Sequence, residues 1–178
     1  MTSGPGDIAD GTVVCLDASA LYLHFGGGGA GAETKRRSVD ALVAAIAVGR
    51  LRGQFGLGTL AELVHKIMLL EATRVTGRER SNLVRWLREH PEVIANLREH
   101  AAVVVAVQRI GIEIVRSELV DLSRAAAISQ QYGLLTNDAI IVATMQRLGI
   151  EWLATNDDDF ARVPWVRVWK PSGTASEP

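Results

Sequence analysis

The stretch "LLTNDAIIVATMQRLGIEWLATNDDDF", residues 134–160, carries the clearest structural signals in the chain. It begins with a helical pattern and reaches Gly149, a residue type that commonly ends helices. It continues into the short apolar run "EWLAT", which is typical of a buried strand. The tripeptide Thr-Asn-Asp occurs twice, at 136–138 and at 155–157. This stretch therefore predicts a helix followed directly by a strand, with one carboxylate starting the helix and another following the strand.

The remaining chain alternates between similar short apolar runs and longer helical patterns. Four strands are predicted, at 12–17, 111–116, 151–155 and 166–170. Helices are predicted at 38–53, at 59–74 and at 137–149, where Gly149 closes the helix. A further helix, capped by Ser117, is predicted to run to about Tyr132. The Arg- and Glu-rich segment 76–110 is predicted to be helical with a break at His90-Pro91. Strands that alternate with helices are covered on both faces. The sequence therefore predicts an α/β fold, with three α/β/α layers around a central, mostly parallel sheet.

Length and composition are those of one soluble globular domain. The chain has 178 residues, of which 48% are hydrophobic and 22% charged. We expect a single domain over 12–171, with flexible segments at 1–11 and 172–178. The Gly-rich segment 26–32 is predicted to be a loop, and no Gly-Lys-Ser/Thr closes it as in a phosphate-binding P-loop.

Charge and cysteine content exclude several classes. Nineteen basic and twenty acidic residues give a net charge of −1, which argues against a globally basic nucleic-acid binder but not against local patches. The single cysteine, Cys15, excludes an internal disulfide and a cysteine-cluster metal site, and its apolar surroundings predict a buried side chain. No apolar run has the length of a membrane span and no signal pattern is evident, so we expect a cytoplasmic protein.

Two carboxylates follow predicted strands. Asp17 ends the first strand and Asp157 follows "EWLAT". In parallel sheets, functional groups collect at the carboxyl ends of the strands. Each also has a simpler interpretation, because Asp17 is a suitable helix N-cap and "NDDDF" is a typical solvated turn.

Asp138 and Glu62 lie on predicted helices. Asp138 shares a helix face with Ile141, Val142 and Met145, so its carboxylate points inward. Burying an unpaired carboxylate costs several kcal/mol, and either a metal ion shared with other carboxylates or a distant arginine would compensate it. Glu62 has a simpler interpretation than a role in a functional site, because it can form an exposed i,i+4 salt bridge with Lys66.

These segments together resemble the PIN-domain family of ribonucleases, and within it the VapC-type toxins of bacterial and archaeal toxin–antitoxin pairs. The resemblance rests on Asp17-Ala18-Ser19 after the first strand, on Glu62, and on "LLTNDAIIVAT" and "LATNDDDF". It extends over residues 12–170 and is most specific in the C-terminal third.

The resemblance implies a function and a set of site residues. Asp17, Glu62, Asp138 and Asp157 would form the catalytic acidic pocket, with Asp17, Asp138 and Asp157 holding Mg²⁺ or Mn²⁺. Ser19, Thr155 and Asp159 would support them. Hard oxygen ligands suit these ions. Similar domains cleave phosphodiester bonds of single-stranded RNA.

The resemblance also implies partners. They are RNA, an antitoxin whose Arg-bearing tail enters the acidic pocket, and a second copy of the chain in a homodimer. The apolar helices at 38–52 and 59–73 either form the surface of this homodimer or belong to the core.

A non-catalytic PIN-like module that binds RNA or protein remains the alternative. A haloacid-dehalogenase-like phosphatase is disfavoured, because Ser19 occupies the place of its second acid. A receiver-type signalling domain is disfavoured because the acidic pair and late lysine that it needs are not evident.

Overall fold

A five-stranded parallel sheet forms the centre of the protein. The computed structural model describes residues 6, 8–29 and 31–172. The strands are β1 (Val13–Leu16), β2 (Arg52–Gly56), β3 (Glu113–Val115), β4 (Trp152–Ala154) and β5 (Arg167–Trp169). Their order across the sheet is β3-β2-β1-β4-β5, and every pairing is parallel. The prediction of a mostly parallel sheet is confirmed.

Helices cover both faces of this sheet, as the α/β/α prediction requires. They are α1 (Ala18–His24), α2 (Glu33–Ala47), α3 (Leu57–Thr76), α4 (Arg80–Glu89), α5 (Pro91–Asn96), α6 (Glu99–Ile110), α7 (Leu119–Tyr132) and α8 (Thr136–Leu148). A 3-10 helix spans Asp159–Arg162. No helix of the described part of the chain is long and apolar enough to cross a membrane.

The sheet separates two hydrophobic clusters, and the period-two geometry of β1 divides its side chains between them. Val14 and Leu16 belong to the cluster that contains residues of α1, α2, α3 and α6. Cys15 belongs to the cluster that contains residues of α7 and α8. Cys15 is buried as predicted, and burial followed by the charge of Asp17 raises the pKa of its thiol to about 12.

Strand β2 corrects the prediction that a helix continues to residue 53. The helix α2 ends at Ala47, and the chain re-enters the sheet at Arg52 to pair with both β1 and β3. "RGQFG" contains one large apolar residue, Phe55, so it has no alternating pattern. A Cβ on Gly53 would lie 2.9 Å from the Ile46 side chain, so glycine permits this close approach of strand and helix.

The helix before Tyr132 begins differently from the prediction. Glu118 is the N-cap of α7, not Ser117, and it forms a reciprocal capping box with Asp121. Asp121 is fully buried, and Arg147 of α8 donates to both of its carboxylate oxygens at 2.7 and 2.9 Å. This distant arginine fixes the start of α7, and nothing near Ser117 in the sequence indicates it.

The terminal segments also differ in part from the prediction. Ile8 is 1% exposed within the first hydrophobic cluster, so a flexible segment over all of 1–11 is wrong for this residue. Gly11 donates its N–H to the Arg50 carbonyl, which ties the chain to the start of β2. Residues 1–5, 7 and 173–178 lie outside the described residues.

The segment 76–110 forms a small helical layer on α3. The break at His90-Pro91 is confirmed, and Pro91 starts α5. Leu83, Leu87 and Leu97 pack on Ala72 of α3 in a third cluster. The buried carboxylate of Glu71 accepts from the backbone N–H groups of Arg98 and Glu99 at 2.8 and 2.9 Å, and so caps α6 from a different helix. Helix α4 is amphipathic, because Leu83 and Leu87 are buried while Arg85, Arg88 and Glu89 are exposed.

Candidate active site

Asp17 lies where β1 ends and α1 begins. Its N–H continues the pairing with β4 by donating to the Ala154 carbonyl at 2.9 Å. Its carboxylate is the N-cap of α1 and accepts from the Ser19 N–H at 3.2 Å. The capping interpretation of Asp17 is therefore confirmed, and the same geometry brings the carboxylate to the carboxyl edge of the sheet.

Two hydroxyl groups fix the orientation of the Asp17 carboxylate. The buried Thr155, just after β4, donates from Oγ1 to Asp17 Oδ2 at 2.8 Å, and Ser19 Oγ donates to the same oxygen. The backbone N–H groups of Asn156 and Asp157 then donate to the Ser19 and Thr155 hydroxyls, at 2.9 and 3.0 Å. Hydrogen bonds from the described residues fall on Oδ2 of Asp17, which leaves Oδ1 as its available acceptor.

The segment after β4 is a hydrogen-bonded turn at this edge. Asp157 is exposed and its Oδ1 accepts from the Asp159 N–H at 2.9 Å, so the solvated-turn interpretation is confirmed. Asp159 pairs with Arg162 at 2.6 Å, and the fully exposed Asp158 pairs with Lys170. The turn thus holds Asp157 near β1 while Asp158 and Asp159 face basic partners.

Asp138 lies in the first turn of α8, half-buried beside this edge. The pKa of its carboxyl group is raised to about 6, first by burial and then by the negative charges of Asp17, Asp157, Glu62 and Asp159, in that order. Among the described residues no lysine or arginine forms a salt bridge with Asp138. A distant arginine therefore does not compensate the charge of Asp138 among the described residues.

Glu62 reaches the same region from the second turn of α3. Its Oε1 forms a salt bridge with Lys66 Nζ at 2.7 Å, so the i,i+4 alternative is confirmed as a contact. Both side chains are about one-third exposed. Because its charge also raises the pKa of Asp138, Glu62 belongs electrostatically to the same group of carboxylates. We call Asp17, Glu62, Asp138 and Asp157, with Asp159 nearby, the acidic cluster.

Comparison with known proteins shows the family to which the chain belongs. The sequence profile of the PIN domain matches residues 58–166. The chain belongs to the PIN domain family.

Within this family, a curated relative and several solved structures resemble the chain. Ribonuclease VapC6 of Methanocaldococcus jannaschii is 47% identical over 49 residues, which are 28% of this chain and 32% of that protein. The match therefore spans about a third of the length of this relative.

The solved structures share the PIN fold over most of their length, at low sequence identity. VapC20 of Mycobacterium tuberculosis, described as a sarcin-ricin loop cleaving toxin, has a TM-score of 0.59 at 15% identity, covering 86% of this chain and 96% of that one. A toxin–antitoxin complex from Klebsiella pneumoniae has a TM-score of 0.52 at 21% identity, covering 86% and 95%. VapBC2 from Rickettsia felis, bound to a promoter DNA fragment, has a TM-score of 0.50 at 13% identity, covering 88% and 97%.

A divalent cation fits the donor chemistry of this PIN domain. Carboxylate oxygens dominate the site, and such hard donors suit Mg²⁺ or Mn²⁺. The mutual repulsion that contributes to the raised pKa of Asp138 is what a shared cation would relieve. No three His, Cys, Asp or Glu side chains in the described ranges form a preassembled ligand set.

One contact at the site escaped the sequence analysis. Lys35, in the first turn of α2, donates from Nζ to the Asn156 side chain at 3.0 Å, which brings a cation to the rim of the acidic cluster. The two residues lie far apart in the sequence, and neither stands in a motif that indicates the other. Only the packing of α2 against α1 brings Lys35 to this edge.

Proposed function

We propose that this PIN domain is a metal-dependent endoribonuclease that hydrolyses RNA phosphodiester bonds, and that it is the toxin of a toxin–antitoxin pair. The observation that carries the proposal is the environment of Asp138. A half-buried carboxylate with a raised pKa faces four other carboxylates and has no basic partner in the described chain. A purely structural role would favour a neutral side chain here, because the repulsion destabilises the folded state.

The proposed ion is Mg²⁺ or Mn²⁺, held by Asp17, Asp138 and Asp157. When bound, such an ion lowers the pKa of water and neutralises charge on a phosphate. The available Oδ1 of Asp17, opposite the hydroxyl-bonded Oδ2, supports its assignment as a ligand. Asp138 must lose its proton before it binds a cation, and its pKa of about 6 permits this at neutral pH.

The other residues would act by orientation and charge. Ser19 and Thr155 keep the Asp17 carboxylate in one position and tie it to the turn that carries Asp157. Glu62 would hold a proton or a water molecule near the phosphate, while Lys66 balances its charge. Lys35 at the rim would contact the phosphate backbone of the RNA.

The relatives support the RNA substrate and the proposed partners. VapC6 is named a ribonuclease, and VapC20 is described as a toxin that cleaves the sarcin-ricin loop. The similar structure from Klebsiella pneumoniae is a toxin–antitoxin complex. A cognate antitoxin with a basic tail would complement the acidic cluster. Homodimerisation is part of the proposal. The helices suggested as its surface bury their apolar faces in the core, so the dimer would use other residues. Sedimentation equilibrium measures the dimer directly.

The decisive experiment compares Asp138→Asn with a matched substitution in the neighbouring turn. We expect the wild-type protein to cleave single-stranded RNA in the presence of Mn²⁺ or Mg²⁺, and we expect cleavage to stop when the metal is chelated. Asp138→Asn should abolish cleavage. Asp158→Asn should cleave like wild type, because Asp158 is fully exposed, pairs with Lys170 and does not contribute to the raised pKa of Asp138.

The outcomes separate the enzyme from the non-catalytic alternative. RNA binding without cleavage in wild type, under either metal, would favour a PIN-like binding module. Cleavage that survives Asp138→Asn would instead point to a contaminating nuclease and refute the assignment of Asp138. Calorimetry of Mn²⁺ binding to the same variants gives a second readout, independent of turnover.

A further inference from the structure

A cavity of about 300 Å³ adjoins the acidic cluster on the β2 side of the sheet. Its walls come from the start of α3, the start of α7 and one face of α8. Glu62 belongs to both the cavity and the acidic cluster, and Asn137 lines the cavity beside Asp138. Any molecule in this cavity therefore lies next to whatever is bound at the acidic cluster.

The lining combines apolar surfaces with hydrogen-bonding groups. The apolar contacts come from Leu119, Leu122, Ile140 and Ile141. Thr59, Ser117 and Asn137 provide hydroxyl and amide groups, and Glu62, Glu118 and Asp121 provide carboxylates. Leu119 is 80% exposed and Leu122 is 50% exposed, so their apolar surface is available to a ligand.

We propose, building on the ribonuclease function proposed for the acidic cluster, that this cavity is a nucleobase subsite that selects the nucleotide beside the cleaved phosphodiester bond. A base offers two apolar faces and a polar edge, which match the mixed lining. Proteins recognise unstacked RNA bases by such contacts to the faces and edges. The cavity volume lies at the lower end of the roughly 300–1,000 Å³ found for ligand pockets, which suits one base.

The charge of the lining predicts which bases fit. Ionised carboxylates only accept hydrogen bonds. Asp121 already receives two hydrogen bonds from Arg147, so Glu118 and Glu62 are the carboxylates that retain acceptor capacity. Glutamate and aspartate accept from the exocyclic amino group of cytosine. Bases with an exocyclic amine should therefore bind better than uracil, which presents a carbonyl there.

A protein side chain is the competing occupant. The exposed leucines at the cavity mouth would also suit an apolar residue from a partner or from a second copy. Such a residue would remove water from the hydroxyls of Thr59 and Ser117 and the amide of Asn137 without offering them a hydrogen bond, which costs free energy. The direct continuity with the acidic cluster also favours RNA, because a strand held there must place a neighbouring base nearby.

The test uses the nucleosides cytidine and uridine as probes, because they are uncharged and differ only in the group at the 4-position and in the hydrogen that uridine carries on N3. They are titrated into ¹⁵N-labelled protein without metal, and amide shifts of Thr59, Ser117 and Leu122 are followed. We expect cytidine to shift these signals with an affinity at least about fivefold higher than that of uridine. Leu122→Trp should abolish the shifts by filling the cavity. Ala126→Trp, at an exposed position one turn later on α7 and outside the lining, should preserve them.

Cleavage of a randomised RNA pool gives the second readout. Wild type should disfavour uracil at one position beside the cut, and Leu122→Trp should lose this discrimination and raise KM, whereas Ala126→Trp should keep both values. Absence of cytidine-induced shifts in wild type, or equal shifts in Leu122→Trp, overturns the subsite even if the protein cleaves RNA. Concentration-dependent shifts of the same amides without nucleoside, together with no nucleoside effect, overturn it in favour of a second copy.

The subsite and the proposed function can fail separately. Cytidine binding in a protein that does not cleave RNA would refute the ribonuclease function and leave a nucleobase site. Metal-dependent cleavage without base discrimination would refute the subsite alone.

Discussion

Replacing Arg147 with methionine should distinctly lower the Tm of this protein. In the native state Arg147 Nε donates to Asp121 Oδ1 at 2.7 Å, and Nη2 donates both to Asp121 Oδ2 at 2.9 Å and to the Arg116 carbonyl at 2.7 Å. The Asp121 side chain is 1% exposed. Methionine keeps the aliphatic contacts but leaves this buried carboxylate without its cationic partner.

The structure gives the size of the effect. Removing one partner of a buried ion pair costs about 3–5 kcal/mol. The Arg147 side chain is 19% exposed, so some water reaches the pair, and we expect about 3 kcal/mol, the lower end of this range. For a chain of this length each kcal/mol lowers Tm by roughly 2–4 °C, so Tm should fall by about 6–12 °C. The control Arg85→Met breaks an exposed i,i+4 pair with Glu89 and should cost less than about 1 kcal/mol.

The pH dependence tests the cause. The hydrogen bonds from Arg147 hold the pKa of Asp121 below its usual range. A depressed pKa contributes stability that is present above the unfolded pKa and is lost as the pH falls through the folded pKa. In Arg147→Met the unpaired carboxyl should instead have a raised pKa, so acidification relieves it. The stability deficit of the variant should therefore shrink as the pH falls from about 6 towards 3.

Urea unfolding followed by circular dichroism at several pH values measures this deficit. Asp121→Asn in the Arg147→Met background removes the stranded charge and should recover part of the loss. A deficit no larger than that of Arg85→Met, or one that does not change with pH, would refute the reasoning.

Three further predictions concern the acidic cluster and the helical layer. Because the pKa of Asp138 is raised to about 6, the affinity for Mn²⁺ measured by calorimetry should fall as the pH drops through 6. In the absence of metal, the free energy of unfolding should decrease as the pH rises from about 4 to 6. In this range the folded state binds more protons than the unfolded state. An unchanged Mn²⁺ affinity at pH 5 would contradict this. Glu71→Ala removes the cap of α6 and should cost about 2 kcal/mol in urea unfolding, whereas the exposed Glu92→Ala should cost little. Thr155→Val removes the hydroxyl that orients Asp17, so it should lower the free energy of unfolding by about 1–3 kcal/mol and also slow RNA cleavage. Thr155→Ser keeps a hydroxyl and should retain both stability and cleavage. Loss of both in Thr155→Ser would contradict the hydrogen-bonding role.

Local signals in the sequence predicted the C-terminal unit well. The helical period of α8 and the stop at Gly149 depend on residues within one or two turns, and Gly149 has the left-handed φ of 68° that favours glycine there. The position of Asp138 on the helix predicts an inward-pointing carboxylate, and its raised pKa agrees with partial burial among like charges.

Strand β2 shows where local signals fail. "RGQFG" has neither helical nor alternating periodicity, and it forms a strand because β1 and β3 supply hydrogen-bonding partners on both sides. Its position also sets α3, since α3 starts directly after β2 and carries Glu62 to the acidic cluster. The sequence placed Glu62 on a helix but contained no signal that this helix follows a strand.

The sequence by itself determined the strand and helix of the C-terminal unit, the capping role of Asp17 and the acidic character of the site, because capping, periodicity and charge act between residues that are close along the chain. Only the tertiary structure decided which distant groups meet: Thr155 with Asp17, Arg147 with Asp121, Lys35 with Asn156, and the cavity beside Glu62. Such contacts depend on how strands pair and helices pack, and a single sequence carries no local record of that pairing.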